Sequence, residues 1–332
     1  MKVSPQYCIN FEDVKEAEIR INGFAHRTPV MTSKSLMSAS HDDGKNYFFK
    51  IEAMQKTGSF KFRGALNAVK ALPPNTISVV THSSGNHAQA LALASKLASN
   101  EEGTTIECTI VMPSTTARVK QQAVKDFGAK IIIVENTNDA RKKEAERIVA
   151  LTGAVFIHPS ENPKVIAGQG TVSLEFVEQV REMMVLNEGA LSEESLDAVI
   201  IPVGGGGLAA GNCITLRHVF GDRVKIILAE PETLDDAKRS FTEGILLKHN
   251  PTNKLDSIAD GLRTTLGENT WPIVRDFVDD IITVSEEEII TATKLVFERL
   301  KVVIEPSGTF IPFCLFYFLF PPYFQPTNYN TN

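Results

Sequence analysis

Three stretches of this chain carry side chains that can do chemistry. The first is Gly58-Ser59-Phe60-Lys61-Phe62-Arg63-Gly64-Ala65, a lysine between two phenylalanines at a glycine-bearing turn. Ala65, Leu66, Val69 and Leu72 then recur at helical spacing. Thr57 or Ser59 is placed to cap that helix, which puts Lys61 in its first turn. A cation is disfavoured at the positive end of a helix, and aromatic flanks desolvate an amine. Both effects push the lysine toward the neutral form that a Schiff-base nucleophile needs. A solvated helix-start lysine beside buried phenylalanines explains the string equally simply, and on its own this stretch favours that plainer reading.

The second stretch is Gly204-Gly205-Gly206-Gly207, between the apolar run Ala198–Val203 and a helix. Glycines let backbone N–H groups approach an anion, and the helix N-terminus adds positive potential, so a phosphate site is favoured over a plain turn. Gly204, Gly206 and Ala209 also satisfy a dinucleotide pattern, with Glu230 closing the next strand, which keeps a nicotinamide enzyme open. The third stretch is Thr81-His82-Ser83-Ser84-Gly85-Asn86-His87, at a strand-to-helix junction where ligands of open α/β sheets sit. Ser84 offers a proton-carrying hydroxyl and Asn86 an amide, although a loop with a helix cap needs the same residues. His82 and His87 read as structural, having no partner at metal-ligand spacing.

The elements that must position these groups alternate. Strands are expected near 47–51, 78–80, 109–112, 131–134, 155–157, 198–203 and 224–229. Helices are expected near 10–22, 87–99, 115–127, 139–151, 170–186 and up to Phe220. Continuous apolar strands, each followed by a helix, mean parallel sheet covered on both faces. The 332 residues allow about two domains. A hydrophobic fraction of 43% with 22% charged residues is that of a soluble globular protein. A net charge of −6 without a basic run argues against nucleic acid and anionic membrane as partners. Cys8, Cys108, Cys213 and Cys314 are widely spaced, which favours free thiols in a reducing compartment. Met1-Lys2-Val3-Ser4-Pro5 lacks a signal-peptide core, so the expected location is cytoplasmic.

Taken together, the stretches resemble the fold-type II pyridoxal-phosphate enzymes, the group of the tryptophan synthase β-subunit and the serine/threonine dehydratases. The likeness is carried by Gln55–Lys61, Ser83–His87, Ala167-Gly168-Gln169-Gly170-Thr171 and the four glycines. It extends to Ala229-Glu230-Pro231, Ile258–Leu262 and Ile304-Glu305-Pro306-Ser307-Gly308, so it covers about residues 6–308. The resemblance implies an α/β fold of two open parallel-sheet domains. The large one is discontinuous, 1–72 plus 153–332, and the small one spans 73–152. It implies interconversion of L- and D-serine with elimination of serine to pyruvate and ammonia. A serine/threonine dehydratase without racemisation, or a low-activity subunit, remains the alternative.

By resemblance, Lys61 is the lysine that carries pyridoxal phosphate, and Asn86 partners the cofactor's ring oxygen. Gly204, Gly205, Gly206, Gly207 and the N–H of Leu208 form the phosphate cup. Ser84 exchanges a proton on the face opposite Lys61, while Ser83, Gly85, Asn86 and His87 hold the substrate carboxylate and Arg141 lies near its hydroxyl. Glu230, the Leu234 carbonyl and Asp236 match a magnesium or calcium site, oxygen-ligated as those ions prefer. A nucleotide site for activating ATP maps onto Ser33, Lys56, Thr57, Asn86 and Gln89, although Lys34 and Ser35 depart from the family pattern. Ser160 stands where asparagine is expected beside the cofactor. A homodimer is implied.

The C-terminus departs most. After Gly308 the chain reads Thr309-Phe310-Ile311-Pro312-Phe313-Cys314-Leu315-Phe316-Tyr317-Phe318-Leu319-Phe320, with no charged residue beyond Glu305. The run is shorter than the ~20 residues of a membrane span and holds a proline. The family places here a strand and a Ser-Gly-Gly-Asn turn whose hydroxyl meets the pyridine nitrogen. Without them, weak cofactor binding, slow turnover and an unpaired sheet edge are expected.

Overall fold

A computed structural model describes residues 7–33, 46–99, 105–186, 196–249 and 256–309. The atypical run from Phe310 onward, Cys314 included, therefore lies outside the described residues. Helix α1 (Phe11–Ile21) begins where Asn10 accepts from the N–H groups of Glu12 and Asp13 and Asp13 accepts from Asn10, a reciprocal cap. A two-residue antiparallel pair follows, β1 (Val30–Met31) and β2 (Phe49–Lys50), so the strand expected over 47–51 is short. Helix α2 (Lys61–Lys70) starts on Lys61 itself.

Four parallel strands form the first sheet, in the order β5-β4-β3-β6. They are β3 (Ser78–His82), β4 (Glu107–Pro113), β5 (Lys130–Val134) and β6 (Val155–Phe156). Helices α3 (Asn86–Ser99), α4 (Arg118–Asp126) and α5 (Asn138–Thr152) connect them. Neighbouring residues of one strand serve opposite faces. Val79, Ile110 and Met112 pack with Phe62, Leu66, Ala88 and Leu91, while Val80 and Val111 pack with Ala145 and Ile148. Covering on both faces is why these strands read as continuous apolar runs.

The second sheet runs β7-β8-β9, also parallel, from β7 (Ala198–Pro202), β8 (Lys225–Pro231) and β9 (Asp280–Val284). Its first face carries α7 (Gly207–Phe220) and α9 (Trp271–Phe277), with Ile226, Leu228, Cys213, Leu216 and Ile273 buried together. Its second carries α10 (Glu286–Leu295), through Ala229, Val284, Ile289 and Ala292. Helix α8 (Asp236–Glu243) follows β8, and the chain closes on a π-helical turn, Val296–Leu300, and the short α11 (Pro306–Thr309). Among the described residues β7 pairs only with β8.

Helix α6 (Pro163–Leu186) joins the halves and begins seven residues before the expected start. Its signal is Asn162-Pro163. The Asn162 side chain accepts from the N–H groups of Lys164 and Val165, and proline suits the first helical position. The string Ala167–Thr171 is therefore mid-helix, and its glycines permit close crossings. A Cβ on Gly168 would lie 2.6 Å from the Gly64 Cα, and one on Gly211 would lie 2.3 Å from the Ile166 carbonyl oxygen. Helix α6 is thus clamped between α2 and α7.

One polar cluster fixes how α2 enters this assembly. Arg63, 1% exposed, donates to both oxygens of Glu52 and both of Glu175. Lys50 bonds Glu175, Gln179 and the Thr28 carbonyl. Two cations and two carboxylates balance, so the burial leaves no uncompensated charge. Replacing Arg63 with alanine leaves Glu52 without a cation and Glu175 with Lys50 alone, and the expected loss is about 3–5 kcal/mol of unfolding free energy by urea denaturation. A loss under about 1 kcal/mol, the range of exposed pairs, would show that the cluster does not hold α2.

Candidate active site

The segments that follow β3 and β7 line one cavity of about 1720 Å³, with the residues around Lys61, His158 and Glu305 completing its wall. Ligands of parallel sheets bind at this end of the strands. Lys61 Nζ donates to the Pro159 carbonyl at 3.2 Å and lies 5.2 Å from the centre of the Phe60 ring. Burial pushes its pKa down to about 8, against the pull of the Glu305 carboxylate. The expected direction holds, yet the start of α2 differs from the expected cap. Phe60 occupies the cap position with no side-chain bond, and Thr57 sits at φ +61° inside a separate turn, Lys56–Gly58. Among the described residues the buried Ser59 hydroxyl has no hydrogen-bond partner.

Opposite this lysine the four glycines turn β7 into α7 with almost no room for side chains. A Cβ on Gly204 would lie 2.9 Å from Leu262 Cα, and one on Gly205 would lie 2.6 Å from Ser160 Oγ. One on Gly206, at φ +78°, would lie 2.6 Å from Leu266 Cδ2. Thr270 Oγ1 lies 3.0 Å from a Glu161 oxygen and 3.2 Å from the Gly205 carbonyl, fixing the cup from behind. Bare backbone at the N-terminus of a fourteen-residue helix suits a phosphate.

Ser83, Ser84, Gly85, Asn86 and His87 follow β3 into the same cavity. Asn86 Nδ2 donates to both Glu305 oxygens at 2.8 and 2.9 Å, which brings the last described segment over the mouth of α3. This contact carries no signal in the sequence, where Glu305 stands only within the string Ile304–Gly308, because a single chain gives no pattern linking residues 219 apart. His158 was missed as well. Its Nδ1 accepts from the N–H groups of Ser160 and Glu161, and burial, reinforced by His82 and Lys61, pushes its pKa down to about 4. Burial also lowers His82, and drives His87 well below the imidazole range. The cavity is therefore lined by three neutral imidazoles. Arg141 lines it too, donating to the Thr137 carbonyl and the Asn138 side chain.

These features match one family, whose description is pyridoxal-phosphate dependent enzyme, over residues 21–311. The chain belongs to that family. It is 45% identical over 310 residues to a serine racemase of Rattus norvegicus, spanning 91% of this chain and 85% of that protein. The structure of maize serine racemase superposes with a TM-score of 0.82 at 41% identity, covering 92% of this chain and 85% of that one. A threonine deaminase of T.th. gives a TM-score of 0.82 at 38% identity, covering 94% of this chain and 92% of that one. Fold-type II architecture and an enzyme of the racemase and ammonia-lyase class follow. The dinucleotide reading of the glycines falls away, because the pyridoxal-phosphate family match spans them and Lys61 alike. Lys61, the unpartnered Ser59 hydroxyl and the bare glycine cup fit pyridoxal phosphate.

Glu230 accepts from the N–H groups of Ala237 and Lys238, and Asp236 from that of Leu266. Burial pushes the Glu230 carboxyl well above its usual range. Among the described residues no group of three or more His, Cys, Asp and Glu is arranged to hold a metal ion. Of Ser33, Lys56, Thr57, Asn86 and Gln89, only Asn86 lines the cavity. Cys8, Cys108 and Cys213 are free thiols. No helix among the described residues is long and apolar enough to cross a membrane.

The lowered amine sets a pH test. An amine can bond an aldehyde only in its neutral form, and the neutral fraction of Lys61 grows as pH rises through about 8. The rate at which cofactor-free protein takes up pyridoxal phosphate, followed by visible absorbance, should climb from about pH 6.5 and level off by about pH 9. A rate still climbing steeply toward about pH 10.5 would mean an ordinary exposed lysine.

Proposed function

We propose that this chain interconverts L- and D-serine and, in a side reaction, eliminates water from serine to give an enamine that water then hydrolyses to pyruvate and ammonia. The observation that carries the proposal is one cavity holding an amine of lowered pKa, a serine hydroxyl and a glycine phosphate cup. Pyridoxal phosphate, when bound, supplies an electron-withdrawing ring that acidifies the α-hydrogen of the amino acid. Every other task falls to the chain. Gly204 to Gly207 and the N–H of Leu208 would hold the phosphate, and Asn86 would partner the ring oxygen.

The N–H groups and side chains of Ser83, Gly85, Asn86 and His87 orient the substrate carboxylate, while Arg141 attends its hydroxyl. Lys61 Nζ takes or returns the α-proton on one side, and Ser84 Oγ does so on the other. A serine hydroxyl is a weak base in water, so its part depends on positioning within a site lined by neutral rings. Loss of the α-proton without its return from Ser84 leaves departure of the β-hydroxyl as the competing outcome. The likeness to a threonine deaminase supports a second reading, elimination without racemisation.

The proposal treats 1–72 plus 153–332 as the cofactor domain and 73–152 as the small domain. The free thiols suit a reducing cytoplasm. Ile290 and Phe297, one heptad apart and 57% and 62% exposed, give an apolar stripe for a second copy in a homodimer. By resemblance, a magnesium or calcium ion would sit on Glu230, the Leu234 carbonyl and Asp236, and ATP would act as an activator away from the reacting atoms.

Replacing Ser84 with alanine separates the readings. Formation of D-serine from L-serine, resolved by chiral chromatography, should fall by about 100-fold or more. Pyruvate release from L-serine should fall far less, since Lys61 removes that proton. Equal losses would show that Ser84 is needed in both routes. A wild-type protein that releases pyruvate but no D-serine would establish the second reading.

A further inference from the structure

The turn that carries His158 into Glu161 touches both ends of the candidate site. His158 Nδ1 accepts from the N–H groups of Ser160 at 3.2 Å and Glu161 at 3.0 Å, which fixes the backbone between them. From this fixed turn the chain projects three groups in three directions. The Pro159 carbonyl accepts from Lys61 Nζ at 3.2 Å. The Glu161 carboxylate turns behind the glycines, where it accepts from the Asn269 N–H at 2.7 Å and from the Thr270 hydroxyl at 3.0 Å. Ser160 lies between the two, against the glycine cup.

Its side chain is placed closely. A Cβ on Gly205 would lie 2.6 Å from Ser160 Oγ, and one on Gly207 would lie 3.1 Å from Ser160 Cα. The hydroxyl therefore fills the space that a side chain on Gly205 would take, and the residue lines the cavity while only 8% exposed. The Ser160 N–H is committed to His158, but the hydroxyl has no hydrogen-bond partner among the described residues. A buried hydroxyl in that position needs an acceptor from within the cavity. Thr264 differs, although its Oγ1 comes 3.2 Å from the same Cβ position. That residue is exposed, so water is at hand for it.

We propose that the Ser160 hydroxyl donates to the phosphate of the cofactor, adding one side-chain donor to the backbone N–H groups of the cup. A phosphate monoester carries three strong acceptor oxygens, the complement of a dry hydroxyl with a hydrogen to give. The same turn then sets both ends of the ligand, with Pro159 holding the amine and Ser160, one residue on, holding the anion. The inference rests on the reading of Gly204 to Gly207 as a phosphate cup.

The test compares two ligands that differ only in the phosphate. Pyridoxal phosphate and pyridoxal are each titrated into the cofactor-free full chain and followed by visible absorbance. Wild-type protein should bind pyridoxal phosphate far more tightly. In Ser160→Ala that preference should shrink by about tenfold or more, the effect of losing a hydrogen bond to a charged group, while pyridoxal affinity stays as it was. Ser160→Cys, which keeps the bulk of the side chain but donates weakly, should shrink it likewise. Inorganic phosphate should raise the melting temperature of the cofactor-free wild-type protein by more than that of either variant. An unchanged preference in both variants overturns the proposal. So does an equal weakening of pyridoxal and pyridoxal phosphate, which would place the hydroxyl at the ring or leave it structural. If wild-type protein binds the two ligands equally well, the phosphate cup itself is refuted, and the role of Ser160 with it.

Discussion

The guanidinium of Arg63 is the constraint on which the rest of this structure depends. It lies two residues beyond Lys61, and its bonds reach the turn after β2 through Glu52 and the middle of α6 through Glu175. Burial alone would push Glu175 up, but Arg63 and Lys50 hold its carboxyl below the usual range. Burial pushes Lys50 down, against the opposing pull of Glu175. A carboxylate is thus kept charged inside the protein because two cations face it. Two cations stay buried because two carboxylates do. Such a set gains little net stability over apolar packing, but it permits only one arrangement of the three segments. The first turn of α2, and the amine it carries, follow from that arrangement.

From there the site is a matter of what the walls exclude. The glycine crossings of α6 with α2 and α7 bring the lysine's helix and the cup's helix onto the same partner. The amine faces a carbonyl, an aromatic ring and imidazoles held neutral by burial. Glu305 is the nearby anion that pulls the amine's pKa back up, and its contact with Asn86 spans the two halves of the molecule. Change in that contact would therefore alter both the charge at Lys61 and the placing of α3.

Much of this was legible in the chain, for physical reasons. Gly204–Gly207 could be read because four consecutive glycines after a buried strand have few purposes, and steric contact at each explains the choice. The reciprocal cap at Asn10 and Asp13 is a local signal, so α1 is placed almost to the residue. Parallel strands showed themselves as apolar runs because both faces are covered. What escaped was non-local or hidden by composition. The early start of α6 was masked by Gly168 and Gly170, which look like loop residues until α2 and α7 are seen against them. Strand β9 went unread although Ile281, Ile282, Thr283 and Val284 are β-branched and Ser285 caps the next helix with Glu288. Thr57 and Ser59 looked like caps, yet the chain spends Thr57 on a left-handed turn. The pairing of His249 with Asp236 had no sequence signal, since most of helix α8 and the segment after it separate them.

The central claim is that Lys61 is the amine to which pyridoxal phosphate attaches, and one experiment addresses it directly. Purified protein loaded with the cofactor is reduced with borohydride, digested and mapped by mass spectrometry. The account predicts a single pyridoxyl adduct, on the peptide containing Lys61, and its absence in Lys61→Ala. A stoichiometric adduct on any other lysine would contradict it.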